Sequence, residues 1–270
     1  MNNFTKRLLF GGIYVALVVV ATWFNPLLFT LIFSVFMLFC IYEFQKMQQV
    51  KSVIPYLIGL TIIGLIYTFS NHFFDATIPV KYLIALIFFL LYLPFMVALF
   101  QNKKEAISNL KTEYLTFFYL IIPFSILQII PFQIGGKYDH QIVLGIFILI
   151  WINDTFAYLV GRKFGKHKLF ERISPKKTIE GFIGGFIFSL IGGFILSKYF
   201  TNIQPIHWIA IAFIASTFGT IGDLIESLFK RKANIKDSSN LIPGHGGFLD
   251  RLDSVIFATP FIFIYLILFI

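Results

Sequence analysis

Charged residues are scarce in this chain. Only 13% of its 270 residues are Asp, Glu, Lys or Arg, whereas 58% are hydrophobic. Soluble globular domains carry about 25% charged residues, so this composition excludes an ordinary water-soluble fold. A bilayer accommodates such a chain, because lipid covers the apolar surface of membrane-spanning helices.

The chain has a single cysteine, and it lacks the common nucleotide-binding and zinc motifs. Cys40 is the single cysteine, so a disulfide within the chain is excluded. The sequence contains no G-x-x-x-x-G-K-[ST] loop, which excludes a P-loop ATPase, and no His/Cys spacing typical of zinc. The net charge of +9 therefore indicates membrane topology and anionic lipid, and nucleic acid is not predicted as a partner.

Long apolar runs dominate what is present, since a membrane span needs roughly 20 apolar residues. We predict an all-α polytopic integral membrane protein with about nine transmembrane helices. An Asn-Pro turn joins the first two, and Pro123 is expected to kink the fifth. The candidate spans are about 8–24, 27–44, 53–70, 82–100, 114–131, 141–161, 181–200, 206–228 and 251–270.

The positions of the basic residues predict the orientation. With a cytoplasmic N-terminus, the cytoplasmic segments contain 19 of the 22 Lys and Arg residues. The other three are Lys81, Lys137 and Lys198. Because positive charge accumulates on the cytoplasmic side, we predict that the N-terminus lies inside and the C-terminus outside.

The two halves of the chain differ in polarity. Residues 141–270 hold 8 of the 13 acidic residues and two long basic loops. We therefore predict a catalytic membrane region of about four helices there. Residues 1–140, with about five helices, are predicted to be an N-terminal membrane scaffold.

Asp154 is the first candidate site residue. It lies about seven residues before the cytoplasmic end of the predicted sixth span. A carboxylate at that depth is costly unless it is paired or hydrated, which makes it a functional candidate. The alternative is a structural pair with a basic residue such as Arg162.

The stretch "ERISPKKTIEGFIGG" is the second candidate. Ser174 followed by Pro175 is typical of a helix N-cap, which would place Lys176 and Lys177 in the first helical turn. Basic residues there oppose the helix dipole, but they would suit an anion bound at the same helix end. The alternative is ordinary positive charge in a cytoplasmic loop, and the glycines after it favour close helix packing.

Carboxylates frame the last long loop. Asp223, Glu226 and Ser227 share a helix face where the predicted eighth span ends, and Asp250 and Asp253 share a face where the ninth begins. Both ends lie at one membrane surface, so Asp223 and Asp250 can meet. Clustered carboxylates beside Lys and Arg suit Mg²⁺ shared with a phosphate. The alternatives are a solvated helix end with internal salt bridges and, for Asp253, an ordinary helix cap.

The run S-L-F-K-R-x₄-K-D-x-S-x₂-L-I-P-G-H-G-G-F-L-D-R-L-D, residues 227 to 253, resembles the signature of the phosphatidate cytidylyltransferases, or CDP-diacylglycerol synthases. The resemblance extends upstream through "GDLIES", "SPKKTIEG" and "NDTFAYLVGRKFGKH" and covers about residues 150–260. Before residue 150 the chain matches the family only in being hydrophobic.

The resemblance implies an Mg²⁺-dependent enzyme that transfers CMP from CTP to phosphatidate, releasing pyrophosphate, in the bacterial inner membrane with its site facing the cytoplasm. It implies Asp223 and Asp250 as metal-binding catalytic aspartates, with Asp154 as a further candidate ligand and Lys177 as a catalytic residue. Partners are then CTP, phosphatidate and the bilayer, and a homodimer is left open. The substrate-binding positions implied are Ser174, Lys176, Lys230, Arg231, Lys236, His245 and Arg251.

Two other functions remain as alternatives. A CTP-dependent polyprenol or phytol kinase would use similar chemistry, but the intact 227–253 signature argues against it. An ion-coupled transporter could use Asp154 and Asp223 as coupling carboxylates. Transporters usually hold such groups near the membrane midplane, whereas these are predicted at one membrane face.

Overall fold

The structure is a computed structural model that describes residues 3–69, 78–100, 112–134, 136–244 and 246–270. Helices dominate these residues, as the all-α prediction requires. The helices are α1 (Asn3–Phe24), α2 (Pro26–Met47), α3 (Ile54–Phe69), α4 (Ile78–Phe100), α5 (Thr112–Thr116), α6 (Ile122–Ile129), α7 (His140–Phe164), α8 (Ile179–Tyr199), α9 (Pro205–Lys232) and α10 (Leu249–Phe269).

Seven helical segments in the described part of the chain are long and apolar enough to cross a membrane. One of them, Thr112–Phe132, combines α5, α6 and the turns around them. Two shorter apolar helices, Leu9–Phe24 and Ile54–Thr68, coincide with the first and third predicted spans. A multi-helix membrane protein is therefore supported, while the count of nine spans stays a prediction.

Proline and asparagine determine two of the helix junctions. Pro26 is the first residue of α2, and the Asn25 side chain caps that helix by accepting a hydrogen bond from Leu28 N at 2.8 Å. The irregularity expected at Pro123 is a π-helical turn, Phe117–Ile121, immediately before α6. A proline cannot donate the usual helical hydrogen bond, and a local change of hydrogen-bonding pattern accommodates it.

The prediction that a helix begins after Ser174 is wrong. Strand β1 (Lys168–Phe170) pairs antiparallel with strand β2 (Ser174–Thr178), and α8 begins only after β2. Thr178 is the N-cap, since its Oγ1 accepts a hydrogen bond from Gly181 N at 3.1 Å. Strand pairing satisfies the backbone around Ser174, so the threonine at the end of the strand takes the capping role.

Helices α7, α8, α9 and α10 pack successively against one another. Close approach of α7 and α8 depends on glycines, as expected from the sequence. A Cβ atom on Gly185 would lie 2.6 Å from the Asn153 backbone oxygen, and one on Gly184 would lie 2.6 Å from the Val160 side chain. Small residues allow helix backbones to approach in this way.

We expect Gly185→Ala to destabilise the protein, because the backbone of α7 leaves no space for the added methyl group. Overpacking of this kind costs about 1–3 kcal/mol. The control is Gly64→Ala in α3, where a Cβ meets nothing within 4 Å. Thermal unfolding of both variants in one detergent should show a lower midpoint for Gly185→Ala only. Equal midpoints would contradict the packing role of Gly185.

Candidate active site

A cavity of about 530 Å³ lies where the C-terminal parts of α7 and α9 meet the N-terminal parts of α8 and α10. Leu169 and residues 176–178, from the neighbouring strands β1 and β2, and Asp237, from the loop before α10, complete its wall. Both signs of charge line it. The charged residues are Asp154, Arg162, Lys176, Lys177, Asp223, Lys230, Asp237, Asp250, Arg251 and Asp253.

Most of the predicted site residues meet in this cavity, although they come from distant parts of the sequence. The two helix ends that carry Asp223 and Asp250 do lie together, as the topology argument required. The predicted residues that line the cavity are Asp154, Lys176, Lys177, Asp223, Lys230, Asp250 and Arg251.

Three predicted residues lie away from the cavity lining. Ser174 pairs with Phe170 in the hairpin. The Arg231 guanidinium donates hydrogen bonds to the backbone oxygens of Ile173 at 3.2 Å and Ile235 at 3.4 Å, so it ties the hairpin to the end of α9. Lys236 is exposed, and His245 lies outside the described residues. Their substrate-binding roles stay predictions.

Three carboxylates form a compact acidic group in the described part of the chain. Asp223 and Glu226 from α9 and Asp253 from α10 each place an oxygen within 4.8 Å of the others. Glu226 and Asp253 are buried. Within the described part of the chain, Glu226 Oε1 has no hydrogen-bond partner, although a buried carboxylate normally has one. Oxygen ligands of this charge and spacing fit a hard divalent cation such as Mg²⁺.

Asp253 therefore does not behave as the helix cap considered in the sequence analysis. Helix α10 begins at Leu249, so Asp253 lies in its second turn. Its side chain accepts a hydrogen bond from Ser254 N at 2.7 Å and belongs to the carboxylate group. The sequence indicated Glu226 through its spacing, since Glu226 and Asp223 share a helix face.

Two lysines neutralise these acids. Lys177 Nζ lies 2.5 Å from Asp223 Oδ2, and both side chains are partly exposed to the cavity. Lys230 forms ion pairs with Glu226 and with Asp250, whose Oδ1 lies 2.6 Å from Lys230 Nζ. Breaking a buried pair of this kind leaves an uncompensated charge, so the lysines also hold the carboxylates in place.

Asp250 is the most thoroughly hydrogen-bonded acid of the site. Its Oδ2 accepts from Ser238 N at 2.9 Å, Ser238 Oγ at 2.8 Å and Gly247 N at 2.7 Å, while Oδ1 faces Lys230. These contacts organise the loop between α9 and α10. The predicted role of Asp250 as a metal ligand stays a prediction.

Asp154 faces the cavity and is not paired with Arg162. It accepts a hydrogen bond from Asn153 Nδ2 at 3.3 Å, whereas Arg162 Nη1 lies 3.4 Å from the hydroxyl of Tyr158. Asp154 forms no ion pair with any described residue. An unpaired carboxylate in the cavity wall keeps Asp154 a candidate ligand.

Helical spans around a cavity with carboxylates and lysines define a polytopic membrane protein whose site suits a metal-bound phosphate. The cytidylyltransferase family matches residues 5–269. The expectation that only about residues 150–260 resemble the family was therefore wrong, because the match includes the N-terminal helices. The chain therefore belongs to the cytidylyltransferase family.

Individual relatives agree with this assignment. The chain is 33% identical over 272 residues to a protein named phosphatidate cytidylyltransferase from Bacillus subtilis (strain 168), and the alignment covers 100% of both chains. It is 50% identical over 127 residues to the protein of that name from Staphylococcus aureus (strain COL), covering 46% of this chain and 48% of that protein. The comparisons support neither the lipid-kinase nor the transporter alternative.

Proposed function

We propose that this protein transfers CMP from CTP to phosphatidate and so forms CDP-diacylglycerol and pyrophosphate. The observation that carries the proposal is the meeting of Lys177, Lys230, Asp223 and Asp253 in one cavity. Buried Glu226 completes the carboxylate group beside it. The proposal is supported by membership of the cytidylyltransferase family and by similarity to the Bacillus subtilis protein named phosphatidate cytidylyltransferase.

The chemistry needs charge neutralisation more than a strong base. A phosphate oxygen of phosphatidate forms a bond to the α-phosphorus of CTP, and the bond from that phosphorus to the bridging oxygen of pyrophosphate breaks. Both reactants are anions and the attacking phosphate is already ionised. Positioning and electrostatic stabilisation therefore supply most of the catalysis, and Lys177 and Lys230 are the cavity residues suited to bind phosphate oxygens.

We propose Mg²⁺ as the cofactor. Asp223, Glu226 and Asp253 would hold it, with Asp250 and Asp154 as further candidates from the same cavity. The ion would neutralise phosphate charge during transfer. The chain's own contribution is to hold these oxygens together and to orient the substrates around them.

CTP labelled at the α-phosphate tests the proposed reaction. Purified protein in lipid micelles with phosphatidate and Mg²⁺ should move the label into the lipid and release unlabelled pyrophosphate. A lipid kinase would instead leave the label on CDP. Omitting phosphatidate provides the control, and label that never enters the lipid would refute cytidylyl transfer.

We propose that the cavity faces the cytoplasm, with the N-terminus inside and the C-terminus outside. The cavity lies at the helix ends flanked by the two most basic segments, 162–180 and 229–251, and such segments favour the cytoplasmic side. A reporter fused after Ile270 should behave as extracytoplasmic. The same reporter in the loop after Phe164 should behave as cytoplasmic, and the reverse pattern would contradict this topology.

A further inference from the structure

Glu43 connects the N-terminal half of the chain to the proposed active site. It lies in α2 and its side chain is fully buried. One oxygen, Oε1, accepts hydrogen bonds from Ser239 Oγ at 2.5 Å and Phe248 N at 3.0 Å. The other, Oε2, accepts from Leu249 N at 2.8 Å and Ser238 Oγ at 3.1 Å. One side chain thus joins Ser238 and Ser239, within the loop between α9 and α10, to the start of α10.

The backbone contacts make Glu43 the N-terminal cap of α10. Phe248 is the N-cap residue of this helix and provides no side-chain hydrogen bond, so its first N–H groups need another acceptor. A carboxylate at a helix N-terminus is also favoured by the helix dipole. Glu43 forms no ion pair with a described residue, so the helix end and two hydroxyls stabilise its charge.

Ser238 links Glu43 to Asp250 through hydrogen-bond contacts. Its hydroxyl lies 3.1 Å from Glu43 Oε2 and 2.8 Å from Asp250 Oδ2, and its N–H also donates to Asp250 Oδ2. The hydroxyl has one proton, so it can donate to only one carboxylate at a time. Glu43 and Asp250 therefore share the Ser238 hydroxyl, and a change at Glu43 reaches Asp250 through the position of Ser238.

Gly247 shows how closely this arrangement is packed. A Cβ atom at this position would collide with Ser238 Oγ and with both carboxylate oxygens of Glu43. Close packing against Ser238 and Glu43 therefore explains the glycine at position 247, which the sequence alone did not explain. No room is left for Glu43 to move towards the loop.

We infer that Glu43 is a positioning residue for the reaction. It fixes the N-terminal end of α10, and that end carries Asp250, Arg251 and Asp253 into the cavity. This inference rests on the proposed function, and it gives a specific role in catalysis to a residue in the half of the chain predicted to be scaffold. Residues that orient metal or substrate ligands typically contribute about 10–100-fold to affinity or activity.

Glu43→Gln is the principal test variant. Glutamine keeps the size of the side chain, but its NH₂ group cannot accept hydrogen bonds, so in either orientation it leaves one backbone N–H at the start of α10 without its acceptor. We expect kcat per folded molecule to fall about 10–100-fold, with a higher Mg²⁺ concentration for half-maximal activity. Glu43→Asp, one methylene shorter, should lose activity as well because it cannot reach the two serines and the start of α10 together.

Gln45→Ala is the matched control. Gln45 is a buried polar residue of the same helix, but it exchanges hydrogen bonds with the Ser52 backbone at 2.9 and 3.3 Å, away from the α10 loop. Its substitution should lower stability without changing kcat per folded molecule or the Mg²⁺ requirement. A purely structural Glu43 would give that same pattern, and finding it in Glu43→Gln would overturn the inference.

Amide hydrogen exchange provides a second readout that needs no activity. Glu43→Gln should accelerate exchange in residues 238–250 and leave residues 140–164 unchanged, while Gln45→Ala should change neither segment. If the wild-type protein does not transfer CMP, the proposed function fails, and exchange still decides whether Glu43 orders the loop. If the wild type is active and Glu43→Gln matches it in kcat, Mg²⁺ requirement and exchange, the positioning role is refuted.

Discussion

We expect Asp223→Asn to lower CMP transfer per inserted molecule by about 10²–10³-fold, the usual loss when a group that stabilises transition-state charge is removed. Asparagine keeps the size of the side chain but removes the charge that would hold a hard cation and that pairs with Lys177. Transfer should be measured over a range of Mg²⁺ concentrations and divided by the amount of correctly inserted protein.

Asp253→Asn should be nearly as damaging, because Asp253 belongs to the same carboxylate group. The double variant Asp223→Asn/Asp253→Asn should be scarcely worse than either single variant, since residues that act as a unit are non-additive. The control is Glu171→Gln, an exposed acid of the hairpin turn outside the cavity lining. If the acids only stabilise the fold, less protein should insert while activity per inserted molecule is retained, and that result would contradict the metal-binding role.

The sequence predicted the location of this site because charge and membrane topology constrain each other. Apolar runs define the spans, and the basic loops assign their ends to one side. Asp223 and Asp250, which end one span and begin the next, must then lie at the same face. Lys177 joins them from another loop on that side, and the structure brings all three residues to one cavity.

Side-chain contacts that depend on packing could not be predicted in this way. A helix cap remained an alternative for Asp253, because its inward orientation depends on how α9 and α10 pack. Ser174 was placed at a helix start, since Ser-Pro favours that position, but pairing of β1 with β2 overrides the local preference. Glu43 contacts residues about 200 positions away, and no local pattern indicates such a partner. In the sequence, Glu43 stands out only as an acidic residue inside an apolar run.

We also expect Lys177→Met to reduce kcat/KM for CTP about 100-fold, a loss typical of removing one group that stabilises developing charge. The methionine retains the apolar length of the side chain and removes the cation that faces the cavity. Lys168→Met is the control, because Lys168 is an exposed lysine of the neighbouring strand outside the cavity lining. It should leave the kinetic constants for both substrates unchanged.

Lys177 could act on the substrate or only neutralise Asp223, and the double variant Lys177→Met/Asp223→Asn separates these roles. Lys177→Met alone leaves the partly exposed Asp223 carboxylate beside Glu226 and Asp253 without its cationic partner and should lower thermal stability. Adding Asp223→Asn removes that unpaired charge, so stability should recover while transfer stays low. Unchanged kinetic constants for CTP and phosphatidate in Lys177→Met would instead restrict this lysine to neutralising Asp223. Loss of transfer with recovered stability would show that the loss of activity does not come from destabilisation of the fold.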